Sequence, residues 1–95
     1  MDRSHRIFLV TGRVQCVGFR YSTRIRALDL GLTGYAKNLN NGDVEVLAIG
    51  NNTKIEELHT WLHKGPDTAN VDRVEEQDAA GIKIDDTNSK YFQVL

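Results

Sequence analysis

The order of apolar runs along the chain predicts an α+β sandwich, βαββαβ in sequence. Its mostly antiparallel sheet should carry two helices on one face and a short C-terminal strand. Three observations carry this reading. Strand-like runs recur along the chain, two segments place apolar residues at helical spacing, and an Asn-Gly pair falls between two of the strand-like runs. The chain of 95 residues suffices for one domain, 1–95, with a core that needs no disulfide or metal.

The first apolar run is Ile7-Phe8-Leu9-Val10. Both of its alternating faces are apolar, which marks a central strand, and it runs on toward Val14 and a loop at Gly18. Tyr21, Ile25, Leu28 and Leu32 then line up four, three and four residues apart, while Arg24, Arg26 and Asp29 fall off that line. This predicts an amphipathic helix of about three turns, stopped between Gly31 and Gly34. Thr33 to Leu39 and Val44 to Ile49 flank Asn40-Asn41-Gly42-Asp43, and Asn-Gly supplies the positive backbone angles of a tight hairpin. In the second arm Val44, Val46 and Ala48 alternate with Glu45, Leu47 and Ile49.

Asn51-Asn52-Thr53 is suited to starting a helix, and Thr53-Lys54-Ile55-Glu56 fits a capping box. Ile55, Leu58 and Leu62 form the apolar stripe behind it, with Trp61 beside it, and Gly65-Pro66 ends the helix. Asn70 to Gln77 reads as a weaker strand through Val71 and Val74. Residues 79–90 are polar apart from Ile82 and Ile84 and read as a long loop. Tyr91 to Leu95 closes the sheet. The whole is the split β-α-β order of ferredoxin-like folds, which by itself licenses no function.

Hydrophobic residues make up 40% and charged residues 26%, ordinary for a globular domain, and the net charge of −1 leaves no global footprint for nucleic acid or an anionic membrane. No apolar run is long enough to span a bilayer. The polar start, Met1 to Arg6, lacks the apolar stretch of a signal peptide. The single cysteine, Cys16, cannot form an internal disulfide, and a cytoplasmic location is expected.

The chemically informative stretch is Gly12-Arg13-Val14-Gln15-Cys16-Val17-Gly18-Phe19-Arg20, between the first strand and the first helix. A loop entering a helix start has N–H groups without internal partners, and the helix dipole adds positive potential there, which makes it an anion site. Arg20 would add a planar fork matched to two phosphate oxygens. On spacing alone, a structural turn with a surface arginine fits equally well.

The same stretch resembles the signature loop of the acylphosphatase family. Gly31-Leu32-Thr33-Gly34-Tyr35-Ala36-Lys37-Asn38-Leu39 with Gly42-Asp43-Val44-Glu45-Val46 resembles its second block. Gly65-Pro66 with Ala69, Val71 and Val74 resembles its third. The resemblance implies hydrolysis of acyl phosphates to a carboxylate and inorganic phosphate by in-line attack of water, with no metal or other cofactor. It implies that Arg20 binds phosphate, that Asn38 positions the water, and that the backbone of Gln15, Cys16, Val17, Gly18, Phe19 and Arg20 forms the phosphate cradle. The partner is then a small-molecule acyl phosphate, with phosphate or sulfate competing, and neither nucleic acid nor membrane is engaged.

Such an assignment makes physical sense. Phosphoryl transfer needs positioning and charge stabilisation more than covalent work. A carboxylate leaving group, with a conjugate acid of pKa about 4, departs without a general acid. The amide of Asn38 can both donate to and accept from a water. Asn38 also stands just before Asn40-Asn41-Gly42, where asparagine is common for turn reasons alone.

Cys16 departs from the family, which places glycine there, so a catalytically impaired anion-binding domain is the alternative. An oxidation-sensitive thiol and a phosphocysteine nucleophile are two further readings of Cys16. The second suits the residue poorly, since only Val17, Gly18 and Phe19 separate it from Arg20, against five residues in cysteine-dependent phosphatases. His59 and His63 have a metal-like spacing but no third ligand nearby, so a solvated helix face is expected. RNA-recognition modules share the element order, but they need exposed aromatics on their central strands, and this chain offers Phe8 and little else. With no exposed apolar stripe evident, a monomer is expected.

Overall fold

The structure, a computed structural model, describes residues 3–95 and contains β1 (Arg3–Arg13), α1 (Phe19–Asp29), β2 (Thr33–Asn38), β3 (Val44–Asn51), α2 (Asn52–Leu62), β4 (Asn70–Gln77), α3 (Asp86–Lys90) and β5 (Phe92–Val94). The strands form one sheet in the order β4-β1-β3-β2-β5. All neighbours are antiparallel except β2 and β5. This is the expected βαββαβ sandwich with its short closing strand.

The apolar alternation of β3 sorts the two faces. Val44, Val46 and Ala48 join Phe8 and Val10 of β1 under the helices, against Phe19 and Ala27 of α1 and Ile55, Leu58 and Leu62 of α2. Leu47 and Ile49 point the other way and meet Ile7, Tyr35, Ala79 and Ile82. The doubly apolar run of β1 is thus explained, since residues 79–82 cover part of the back of the sheet. Tyr35 lies on this face and donates to Glu45 Oε2 at 2.7 Å. Burial, then the bond to Glu45, pushes its pKa far up, so it remains a donor. In β2, Gly34 is required by close approach. A Cβ there would lie 1.9 Å from the Leu47 carbonyl oxygen, at a φ of +131°.

Several expectations are corrected. The stripe Tyr21, Ile25 and Leu28 does not face the core: these residues are 59%, 70% and 51% exposed, and only Leu32, beyond the helix, is buried. The buried face of α1 is Phe19, Thr23 and Ala27. Thr23 is tolerated there because its hydroxyl donates to the Phe19 carbonyl at 2.8 Å. An exposed apolar stripe is therefore present, and the reason given for a monomer falls away. The cap of α2 is Asn51, whose side-chain oxygen accepts from the N–H groups of Thr53 and Lys54. Thr53 is not that cap. The expected loop 79–90 contains α3, begun by a reciprocal capping box between Asp85 and Asn88. The polar start is β1 from Arg3 onward, with Met1 and Asp2 outside the described residues. No helix among the described residues is long and apolar enough to cross a membrane.

His59 is not simply a solvated group. Its ring stacks on Phe8 at 4.5 Å between centroids, and its Nδ1 lies 2.9 Å from Glu56. Beside it Arg6 forks onto Glu76, with Nε at 3.0 Å and Nη2 at 2.7 Å from the two carboxylate oxygens. That hydrogen bond, against an opposing desolvation, holds the Glu76 carboxyl below its ordinary pKa. A depressed carboxylate stabilises the fold above its unfolded pKa, and that contribution is lost as pH falls through the native value. Arg6→Gln is therefore expected to lower stability at pH 7 by about 1 kcal/mol, since the pair is partly solvated. In urea titrations the gap between Arg6→Gln and the parent should close as pH falls from about 5 to about 3. A gap that does not change with pH would remove the ion pair as its cause.

Candidate functional site

The bend from β1 into α1 is made by residues 14–18. Cys16 at φ 62° and Gly18 at φ 77° both adopt the left-handed conformation. Gly18 is the N-cap of α1 and supplies no side-chain hydrogen bond. Among the described residues, the backbone N–H groups of Gln15, Cys16, Val17, Gly18, Phe19 and Arg20 donate to no protein acceptor. The loop thus presents a run of free donors at the positive end of a helix.

Arg20 and Asn38 are brought together by Leu95, the residue after β5. The main-chain oxygen of Leu95 accepts from Arg20 Nη1 at 2.8 Å and from the Asn38 backbone N–H at 3.0 Å. The same residue donates its own N–H to the Ala36 carbonyl. Asn38 is the last residue of β2, opposite Val44. Its side-chain Oδ1 is buried and has no hydrogen-bond partner among the described residues. A buried carbonyl oxygen left unpaired costs about 1–3 kcal/mol, so this one is poised to accept from a bound molecule.

Two contacts hold the loop, and neither was legible in the sequence. Gln15 Nε2 donates to the carbonyls of Leu39 at 2.8 Å and Asp43 at 2.9 Å, tying the loop to the β2–β3 turn beside Asn38. The resemblance flagged Gln15 for its backbone only. Thr68 Oγ1 donates to the Val17 carbonyl at 2.6 Å from 51 positions away, and no local pattern announces it. Phe19 is a packing residue: it is buried and meets Trp61 at 6.0 Å between centroids.

Other features stand apart from this loop. An open groove lined by Ser22, Ile25, Arg26, Asp29 and Trp61 includes none of the loop residues. His59 and His63 lie 5.2 Å apart, and among the described residues no group of three His, Cys, Asp or Glu is placed to hold a metal.

A five-stranded sheet backed by two helices, with free amides and an arginine where its first strand passes into the first helix, defines a small α+β domain of ferredoxin-like order. The family model for acylphosphatase matches residues 6–93, and the chain belongs to the acylphosphatase family. It is 52% identical over 90 residues to an acylphosphatase of Vibrio cholerae, covering 88% of this chain and 99% of that one. Among solved structures, an acylphosphatase from Coxiella burnetii superposes with a TM-score of 0.85 at 38% identity, covering 99% of this chain and 94% of that one. An acylphosphatase from Bacillus subtilis gives 0.83 at 26% identity, covering 99% of each chain. The impaired-domain alternative finds no support in these comparisons.

Proposed function

We propose that the chain hydrolyses acyl phosphates to a carboxylate and inorganic phosphate by in-line attack of water, with Arg20 and Asn38 as its catalytic residues and no metal. The observation that carries this is the shared Leu95 oxygen, which joins the Arg20 guanidinium to the Asn38 backbone, while Gln15 ties the loop of free amides to the turn after Asn38. The amides of residues 15–20 and the remaining donors of Arg20 receive the non-bridging phosphate oxygens. Asn38 Oδ1 accepts a hydrogen bond from a water and aims its oxygen at phosphorus, opposite the acyl oxygen. The water oxygen–phosphorus bond forms as the bond from phosphorus to the acyl oxygen breaks. The electron pair leaves on the carboxylate, and the water's proton passes to a phosphate oxygen.

All of these groups come from one chain, so a monomer is sufficient for the reaction. The exposed thiol of Cys16 suits a reducing cytoplasm. Inorganic phosphate and sulfate should compete with substrate for the same amides. The deciding experiment follows loss of benzoyl phosphate by absorbance, with chelator and reductant present. Sustained turnover is expected; turnover that chelator abolishes and a divalent metal restores would refute the metal-free reading.

Cys16 sits at a φ that costs a non-glycine residue about 1 kcal/mol. Glycine relieves this but has more freedom to lose on folding, by about 0.5–1 kcal/mol. Cys16→Gly is therefore expected to change stability by less than about 1 kcal/mol and to leave kcat within about threefold. A large gain in kcat would show that Cys16 restrains the enzyme.

A further inference from the structure

We propose that Thr68 is a positioning residue of the anion cradle, and that its hydroxyl fixes the Val17–Gly18 peptide so that the Gly18 N–H faces the phosphate. The inference rests on the hydrolase reading above. In a trans peptide the C=O of one residue and the N–H of the next point in opposite directions, and no peptide bond among the described residues is cis. Thr68 Oγ1 holds the Val17 oxygen at 2.6 Å, on the side of the loop that follows α2. The Gly18 N–H is thereby turned to the opposite side.

The peptide needs such an anchor. Gly18 lacks a Cβ and has open space around it, so coupled rotation about Val17 ψ and Gly18 φ meets little steric resistance. A rotated peptide would present the Val17 carbonyl, an electron-rich oxygen, to the anion in place of a donor.

Thr68 is itself well placed to hold the peptide. It lies in a tight turn closed by Ala69 N–H to the Pro66 carbonyl at 3.0 Å. Just before that turn, Gly65 is anchored to Trp61 O at 2.9 Å. It lies so close to Phe19 that an added Cβ would come 2.8 Å from the ring. The segment after α2 thus buttresses the start of α1 twice, once through Gly65 against the Phe19 ring and once through the Thr68 hydroxyl.

A cradle amide binds the phosphate of substrate and of transition state alike, so its loss raises KM without lowering kcat. The test compares Thr68→Val, which keeps the shape and removes the donor, with Thr68→Ser, which keeps the donor. Benzoyl phosphate kinetics, the Kd for inorganic phosphate by calorimetry and the urea midpoint are measured for each. Thr68→Val is expected to raise KM and the phosphate Kd by roughly tenfold, with kcat within about threefold and an almost unchanged urea midpoint. Thr68→Ser is expected to restore both constants. Unchanged KM and phosphate Kd in Thr68→Val would overturn the proposal, as would equal losses in the serine variant or a fall in kcat that tracks lost stability. Should the parent protein bind phosphate but not turn over benzoyl phosphate, the hydrolase reading fails, while the phosphate Kd of Thr68→Val still decides the role of Thr68.

Discussion

Arg20→Ala is expected to lower kcat for benzoyl phosphate by about 10²–10³-fold while leaving the protein folded. The side chain is half-exposed and, among the described residues, bonds only to the Leu95 main-chain oxygen, so the fold loses little when it is cut back. The reaction loses more. Negative charge on the transferring phosphoryl group must be met by donors fixed in advance, and the guanidinium supplies a planar fork no neighbouring side chain offers. Arg20→Lys should recover part of the loss, because an ammonium keeps the charge but not the fork. Kinetics in chelator, with circular dichroism to verify folding, would check this. A loss of less than about tenfold in Arg20→Ala would place the charge stabilisation elsewhere.

Asn38→Ala should show a different signature, a fall in kcat of about 10²-fold or more with no fall in stability. The strand pairing of Asn38 and its bond to Leu95 are made by the backbone, so both survive the substitution. What disappears is the side-chain amide whose Oδ1 is buried and unpaired in the free protein. Removing an unsatisfied buried group relieves a cost, so the urea midpoint should hold steady or rise by an amount worth about 1 kcal/mol. Binding of inorganic phosphate should be unchanged, since the amide acts on water and not on the anion. A variant that loses stability and phosphate binding together would instead mark Asn38 as a structural residue.

The parts of this protein that were legible in the sequence are those written in local patterns. The hairpin was legible because Asn41-Gly42 forces the turn, with Gly42 at φ 97°. The run Asn70 to Gln77 has the bounds of β4. Helix α1 was located correctly but rotated wrongly. Tyr21, Ile25 and Leu28 lie on the solvent side, and beyond Phe19 at its start the inner face relies on Thr23 and Ala27, both fully buried. Periodicity favours bulky residues and cannot see that a helix lies close enough to a sheet to need small ones. Helix α3 escaped notice because its five residues are polar, although Asp85 and Asn88 at capping distance were a usable signal. In the site, Arg20 and Asn38 followed from family spacing. The side chains of Gln15 and Thr68 act across 24 to 51 positions of chain, and only the fold brings those partners together.

The three-residue strand β5 sits at the sheet edge, yet its neighbour Leu95 anchors both Arg20 and Asn38. Short edge strands open at lower free energy than the core that carries them. When β5 frays, Arg20 loses its tether while the four-stranded antiparallel sheet remains intact. Heat inactivation is therefore expected to be an event separate from melting: activity should fade at temperatures where the core spectroscopic signal is still native, and return on cooling without a refolding delay.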